Sequence, residues 1–365
     1  MIRKTSKKAT ALALIMILVM SIVLSACGDD KTNYEKISKR WDAACHEIGG
    51  IKADESLTNA SYFKAGDPIS DWMVIVEKRA GLDKNFDEEG YLKKLKKYIS
   101  KAYESDEKLD QYKSTEWHRM ILVLLAFGKD PRNFAKKADG TPIDLVNDGI
   151  FNWCQEEKID YQGSNALIYS LLCIKAGDYK APEGARYSEN DIIKELIAYQ
   201  MEDGGFGLNK GGSDLDITSM AIQALAPYID KKDVYTNAAG KSVDVKTAID
   251  SALTYLSEKQ SDGGYFSFQN HYSSDSGSQV ILALCSLGID PTKDERFIKN
   301  GGDPVSALLS FETEDGGIDT ALDSSGKGKQ TNVLATRQAI SALTALRLLQ
   351  KGNGKFFDFN KRFSF

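Results

Sequence analysis

Stretches that are apolar on nearly every side alternate along this chain with stretches that are apolar on one stripe only. The first set falls at 71–80, 115–127, 165–176, 217–228, 277–287 and 334–349. The second set falls between them, at 91–104, 142–155, 189–201, 245–259 and 303–312. A helix that is apolar on all sides must be buried on all sides, so the first set is predicted to form an inner layer and the second an outer one. Sustained alternation with β-branched residues is scarce, and we therefore predict an all-α fold.

A glycine turn separates members of the two sets and recurs along the chain. Its first copy is Gln200-Met-Glu-Asp-Gly-Gly-Phe206, and its aspartate has counterparts at Asp262 and Asp315. Each copy is followed by a short polar loop and then by a new apolar helix. Self-similarity at a spacing of roughly 50–60 residues indicates a repeat architecture.

This turn, together with the Ser-Asp-x-Asp-x-Thr segment from Ser213 to Thr218, resembles the prenyltransferase/squalene–hopene-cyclase repeat. The resemblance covers most of residues 50–350 and implies an α/α toroid, a barrel of two concentric helix rings built from repeated helix pairs. It also implies that Gln200 and Gln260 tie neighbouring helices together, whereas Thr313 replaces the glutamine in the third copy. Terpene cyclases, protein prenyltransferase subunits, cobalamin-binding domains and complement thioester domains share this fold, so the resemblance implies no single function.

The N-terminus has the pattern of a lipoprotein signal. A basic segment precedes an apolar run at 11–24, which is shorter than the about 20 residues of a membrane-spanning helix. Leu24-Ser-Ala-Cys27 resembles the lipobox of bacterial lipoproteins, which implies lipidation of Cys27. We therefore expect a signal peptide at 1–27, a tether and N-terminal helix at 28–50, and the toroid at 51–365. The mature chain would be lipid-anchored to the extracellular face of the cell membrane, like surface lipoproteins of Firmicutes.

Composition argues against several functions. The net charge of −5 disfavours nucleic acid as a partner, because phosphate binding needs a basic face. The histidines are His46, His118 and His271, and neither Cys-x-x-Cys nor His-Glu-x-x-His occurs. We therefore predict no metal site and no cofactor.

The remaining cysteines leave their disulfide status open. Cys173 and Cys285 lie in apolar, helix-like runs and are expected to be core residues, whereas no pairing is predicted for Cys45 or Cys154.

Asp214 and Asp216 are the candidate catalytic residues. Class II terpene cyclases carry an Asp-x-Asp-Asp motif whose middle aspartate protonates an alkene or epoxide, and Asp216 matches that acid. Ile217 stands in place of the third aspartate, so the carboxylate set is incomplete. We favour a simpler interpretation, in which Asp216 is the N-cap of the following helix, Asp214 lies on the rim, and Asp275 is the matching cap in the next repeat.

In a toroid, the N-termini of the inner helices surround one mouth, where partial positive charge suits an anionic or ring-bearing ligand. The side chains expected around that mouth are Trp117, His118, Phe206, Asp214, Asp216, Tyr265, Phe266, His271, Tyr272 and Arg337. We expect a module that binds a small molecule, glycan or surface protein without catalysis. The alternatives are a terpene-cyclase-like enzyme, a polysaccharide lyase using Asn270-His-Tyr272, and an interaction scaffold whose barrel is packed shut.

Overall fold

The structure is a computed structural model that describes residues 33–153 and 158–359. Cys27 and the signal segment, Cys154 and the last six residues of the tail lie outside the described residues. Within them the fold is rich in helix, as the apolar pattern predicts. The helices are α1 (Tyr34–Ile48), α2 (Pro68–Ala80), α3 (Glu88–Ala102), α4 (Thr115–Ala126), α5 (Ser164–Gly177), α6 (Glu189–Ile197), α7 (Leu215–Leu225), α8 (Val245–Lys259), α9 (Ser274–Ser286), α10 (Pro304–Leu309) and α11 (Val333–Gln350).

Two small antiparallel hairpins interrupt the helices. Strand β1 (Val234–Thr236) pairs with β2 (Ser242–Asp244), and β3 (Ser267–Phe268) pairs with β4 (His271–Tyr272). Strands of two or three residues are too short to produce the alternating pattern by which strands are recognised, so the sequence did not predict them.

The six apolar helices contact one another in a closed order. Helix α2 contacts α4, which contacts α5, and the sequence of contacts continues through α7, α9 and α11 back to α2. The helices that are apolar on one stripe pack against these six: α6 on α5, α8 on α7 and α10 on α9. Helix α1 packs on α11, where Trp41 is completely buried. Helix α1 lies before the predicted domain boundary at residue 51 and α11 lies after it, so these two packed helices fall in different predicted segments.

One local prediction from the sequence is wrong. The apolar stripe at 142–155 suggested a full helix, but the described part of that segment forms one short π-helix at Asn147–Phe151. Helix α2 begins after its N-cap Asp67, and Pro68 at the first helical position fixes its own φ near the helical value. Gly81 and Gly128 follow the ends of α2 and α4 with positive φ, a conformation that commonly ends a helix.

Each glycine turn fixes the start of the inner helix that follows it. The buried residue after the glycines accepts a backbone hydrogen bond from the later cap residue. Phe206 O accepts from Asp214 N at 2.9 Å, Phe266 O accepts from Ser273 N at 2.9 Å, and Ile318 O accepts from Asn332 N at 2.8 Å. The cap residue is thereby held in extended backbone, and the helix begins at the next residue in all three copies.

The glutamine ties expected from the resemblance are present. Gln200 Nε2 donates to Ala248 O of α8 at 2.7 Å and to Gly204 O at 2.9 Å. Gln260 Nε2 donates to Phe297 O at 2.9 Å. Thr313, in the third copy, makes only local bonds to its own turn and to Thr331.

Gly204, in the first glycine turn, offers a test of the contact between this turn and α8. Gly204 has φ of +86°, and a Cβ there would lie 2.6 Å from Ser251 O of α8. Replacing Gly204 with alanine is therefore expected to lower the free energy of unfolding by about 2 kcal/mol, measured by urea denaturation. Gly240 is the matched control, because its φ is +75° and a Cβ there meets nothing within 4 Å. Equal losses in both variants would show that the contact with α8 contributes nothing.

Other expectations concern cysteines and membrane spans. Cys45, Cys173 and Cys285 are buried free thiols, which confirms that Cys173 and Cys285 are core residues. Among the described helices, none is both long and apolar enough to cross a membrane.

Candidate functional site

Inner-helix side chains enclose a cavity of about 400 Å³ near the N-terminal ends of those helices. Five helices supply most of its wall, and their N-caps are Asp67, Gly163, Asp214, Ser273 and Asn332. Counted from the cap, the sixth and ninth positions of all five helices face the cavity, and so does the second position of each helix except α5. These residues are Ile69, Asp216, Asp275 and Leu334 at the second, Met73, Tyr169, Met220, Gln279 and Gln338 at the sixth, and Val76, Leu172, Gln223, Leu282 and Ser341 at the ninth.

One side of the cavity is apolar. The rings of Trp72 on α2 and Tyr169 on α5 lie 5.4 Å apart at their centroids. At the entrance, Ile69 is 48% exposed and Leu334 is 42% exposed. Because these two side chains line the cavity and are also exposed, the cavity opens to solvent at this end.

The opposite side is polar and internally hydrogen-bonded. Gln223 Nε2 donates to Gln279 Oε1 at 3.1 Å, and Gln279 Nε2 donates to Gln338 Oε1 at 3.1 Å. Gln338 Nε2 in turn donates to Asp275 Oδ1 at 2.9 Å. This chain of amides joins α7, α9 and α11 and holds the Asp275 carboxylate in place.

Two carboxylates with raised pKa values lie on this polar side. Burial raises the pKa of Asp216 to about 6, the Ser276 hydroxyl opposes the shift, and the Asp214 charge adds to it. Burial also raises the pKa of Asp275 to about 6, and the Asp216 charge contributes. Asp216 Oδ1 is buried and has no hydrogen-bond partner among the described residues. The pair is therefore a set of acceptors that the protein itself leaves incompletely satisfied.

Arg337 lines the cavity, but its guanidinium pairs with carboxylates that do not line it. Its Nη1 lies 2.6 Å from Asp42 Oδ1 on α1 and 2.5 Å from Glu77 Oε1 on α2. Burial raises the pKa of Glu77 well above its usual range, and Arg337 opposes that shift. The ion cluster therefore joins α11 to α1 and α2, where the order of inner helices closes.

The C-terminal tail covers the other end of the inner helices. Phe356 and Phe357 line the first cavity and also a second one of about 320 Å³, whose wall includes Lys175 and Ser286 near the C-terminal ends of α5 and α9. Arg79 Nη2 donates to Lys355 O at 2.7 Å and holds the tail there. The described part of the tail thus packs over this end of the inner helices.

The predicted roles of the aspartates need correction. Asp214 is the N-cap of α7, where its Oδ1 accepts from Ile217 N at 2.9 Å. Asp216 lies inside the helix and faces the cavity, and it is not the cap. Ser273 caps α9, so Asp275 is the structural counterpart of Asp216 and not of a cap. The backbone bond from Asp214 N to Phe206 O sets this register.

Of the ten side chains expected around the mouth, Asp216 and Arg337 line the cavity. Trp117 packs against Trp153 at 4.8 Å and donates from Nε1 to Tyr103. His118 is buried against Gly149 O and Ser170, and burial lowers its pKa to about 4. These two residues, with Phe206 and Phe266, are core residues.

The other predicted aromatic residues lie beside the second hairpin. Tyr265 stacks on Tyr272 with centroids 4.5 Å apart, and its hydroxyl lies 3.0 Å from Oγ of Ser310, the residue after α10. His271 is exposed on β4. The structure therefore does not bring Tyr265, His271 or Tyr272 to the cavity wall.

Sequence reasoning missed the polar residues of the inner helices. Gln223, Gln279 and Gln338 are amides inside stretches that look apolar on all sides. The signal was their offset from the cap, because the sixth and ninth positions face the cavity in all five of the helices that line it. Within the described ranges, no group of three or more His, Cys, Asp or Glu side chains could hold a metal ion.

Comparisons with known proteins give no family for this chain: no protein-family model matches it, and neither does any curated protein.

Proposed function

We propose that this protein is a lipid-anchored extracellular lipoprotein whose helices form an α/α toroid and whose axial cavity binds a small molecule without catalysis. The closed contact order of the six apolar helices supports the toroid. The lipobox-like segment ending at Cys27 supports the anchor.

The observation that carries the binding function is the cavity itself. It is open at an exposed apolar rim, has an aromatic pair on one side, and has Asp216 and Asp275 on the other. A pocket of some 300–1,000 Å³ with a mostly apolar wall and a few convergent polar groups is the usual form of a small-molecule site. A scaffold with its barrel packed shut would have no such space.

Catalysis by a terpene-cyclase-like mechanism is the second candidate. The raised pKa of Asp216 and the apolar wall on the opposite side of the cavity favour it, because such an acid must deliver a proton away from water. However, no hydrogen bond joins Asp216 to a second carboxylate among the described residues: Asp216 Oδ1 has no partner, and the bond to Asp275 Oδ1 comes from Gln338. For the lyase alternative, Asn270, His271 and Tyr272 lie at an exposed hairpin and do not line the cavity.

Filling the cavity tests the binding function. Replacing Met220 with tryptophan is expected to abolish thermal stabilisation by any small molecule that binds there, because the ring would occupy the space beside Tyr169. The measurement is a thermal-shift screen of isoprenoids, corrinoids, acidic oligosaccharides and 1-adamantylamine. A ligand at 100 times its dissociation constant stabilises by about 2.7 kcal/mol.

A shift that survives in Met220→Trp would place the ligand elsewhere on the protein. A bound isoprenoid that is converted to product would establish the cyclase alternative, and Asp216→Asn should then abolish turnover while leaving binding intact.

A further inference from the structure

We infer that the ligand of this cavity is a compact, apolar ring-bearing molecule that carries one protonated amine, with the amine held between Asp216 and Asp275. The inference rests on the proposed binding function and names the chemical class of its ligand. It keeps the sequence-based expectation of a ring-bearing ligand and reverses the alternative of an anionic one.

The first argument is unbalanced charge. Asp216 and Asp275 face the same cavity and act on each other electrostatically. Neither carboxylate forms an ion pair with any Lys, Arg or His of the described residues. Burying like charges without a partner is unfavourable, and a cation placed between them would remove that cost.

The second argument concerns the unused acceptor. Asp216 Oδ1 is buried and unpartnered, whereas Asp275 Oδ1 is already bonded by Gln338. An ammonium group carries three donors and no acceptor, so it can bond both carboxylates at once. A carboxylate ligand would place a third negative charge beside them.

Arg337 is the cationic side chain among the residues that line this cavity, and it could favour an anion. Its guanidinium already contacts Asp42 and Glu77, so it adds no net positive charge to the cavity. Its Nε and Nη2 have no partner among the described residues, and they could bond a neutral oxygen on the ligand.

The apolar side of the cavity indicates that the rest of the ligand, apart from its amine, is apolar. Trp72, Met73, Val76, Tyr169 and Leu172 present an aromatic and aliphatic surface opposite the carboxylates. Burial of an apolar ring against this surface supplies affinity, and the aromatic faces also attract a cation.

The test uses three probes that share one apolar cage: 1-adamantylamine, 1-adamantanol and adamantane-1-carboxylate. Binding to the full chain in lipid nanodiscs is measured by isothermal titration calorimetry at pH 7.5, with empty nanodiscs as the blank. The amine is expected to bind about tenfold or more tighter than the alcohol, because its positive charge balances the two carboxylates, whereas the alcohol leaves their charge unbalanced. The carboxylate is expected to bind most weakly.

Asp216→Asn/Asp275→Asn should reduce the ratio of amine to alcohol affinity to about one, while the alcohol still binds. Asp230→Asn, which changes an exposed aspartate, should leave the ratio unchanged. If alcohol and carboxylate bind as tightly as the amine and Met220→Trp abolishes all three, the cavity binds ligands but the amine inference is wrong. If none of the probes binds, both the inference and the proposed function are contradicted.

Discussion

Replacing Arg337 with alanine is expected to lower the free energy of unfolding by about 3–5 kcal/mol, which is the usual effect of removing one partner from a buried ion cluster. Arg337 is almost fully buried, and it contacts Asp42 at 2.6 Å and Glu77 at 2.5 Å. Without it, two buried carboxyl groups would lose their cation. Urea denaturation monitored by circular dichroism measures the change.

Arg40→Ala is the matched control, because Arg40 also joins distant segments through Glu312, but its side chain is exposed. That variant is expected to lose less than about 1 kcal/mol. Adding Asp42→Asn and Glu77→Gln to Arg337→Ala should restore part of the loss, because neutral side chains remove the unpaired charge. If the triple variant is no more stable than Arg337→Ala, the loss comes from packing and not from electrostatics.

The richness of the fold in helix was predictable, because a segment that is apolar on every side must be buried on every side. Segments such as 165–176 and 277–287 are apolar on every side, and the observed α5 and α9 lie there. What the pattern could not supply was the role of Arg337. A charged residue in an apolar helix gives no indication that its partners lie on α1 and α2, more than 250 residues away in sequence.

The candidate site was only partly predictable, because the sequence alone does not fix the residue at which α7 begins. Asp214 and Asp216 are equally able to cap a helix, so composition does not decide between them. The decision comes from the backbone bond between Asp214 N and Phe206 O, which requires the glycine turn to be folded. A shift of two residues turns Asp216 from a cap into a cavity residue, and the same shift applies to Asp275.

Asp216→Asn/Asp275→Asn is expected to stabilise the protein at pH 8 by about 3 kcal/mol in the absence of ligand. This figure is half of the free energy to which the two pKa shifts would convert in full, because both side chains are partly exposed. Both carboxyls have folded-state pKa values of about 6, above the usual value of 3.8. The native state therefore holds these protons more tightly than the unfolded chain, and stability falls as the pH rises from about 4 to 6. Above pH 6 the full penalty is present, and asparagine removes it.

Below pH 4 the gain should vanish, because both carboxyls are then protonated in the folded and unfolded states alike. Urea denaturation at pH 8 and pH 3.5 compares the two regimes. Asp71 gives the contrast: its pKa is also raised to about 6, yet it accepts bonds from Tyr91, Gly66 N and Arg119. Asp71→Asn should destabilise the protein, since Arg119 would lose its buried partner. If the cavity variant were also destabilised at pH 8, Asp216 and Asp275 would be structural residues, and their unpaired charge would no longer argue for a cationic ligand.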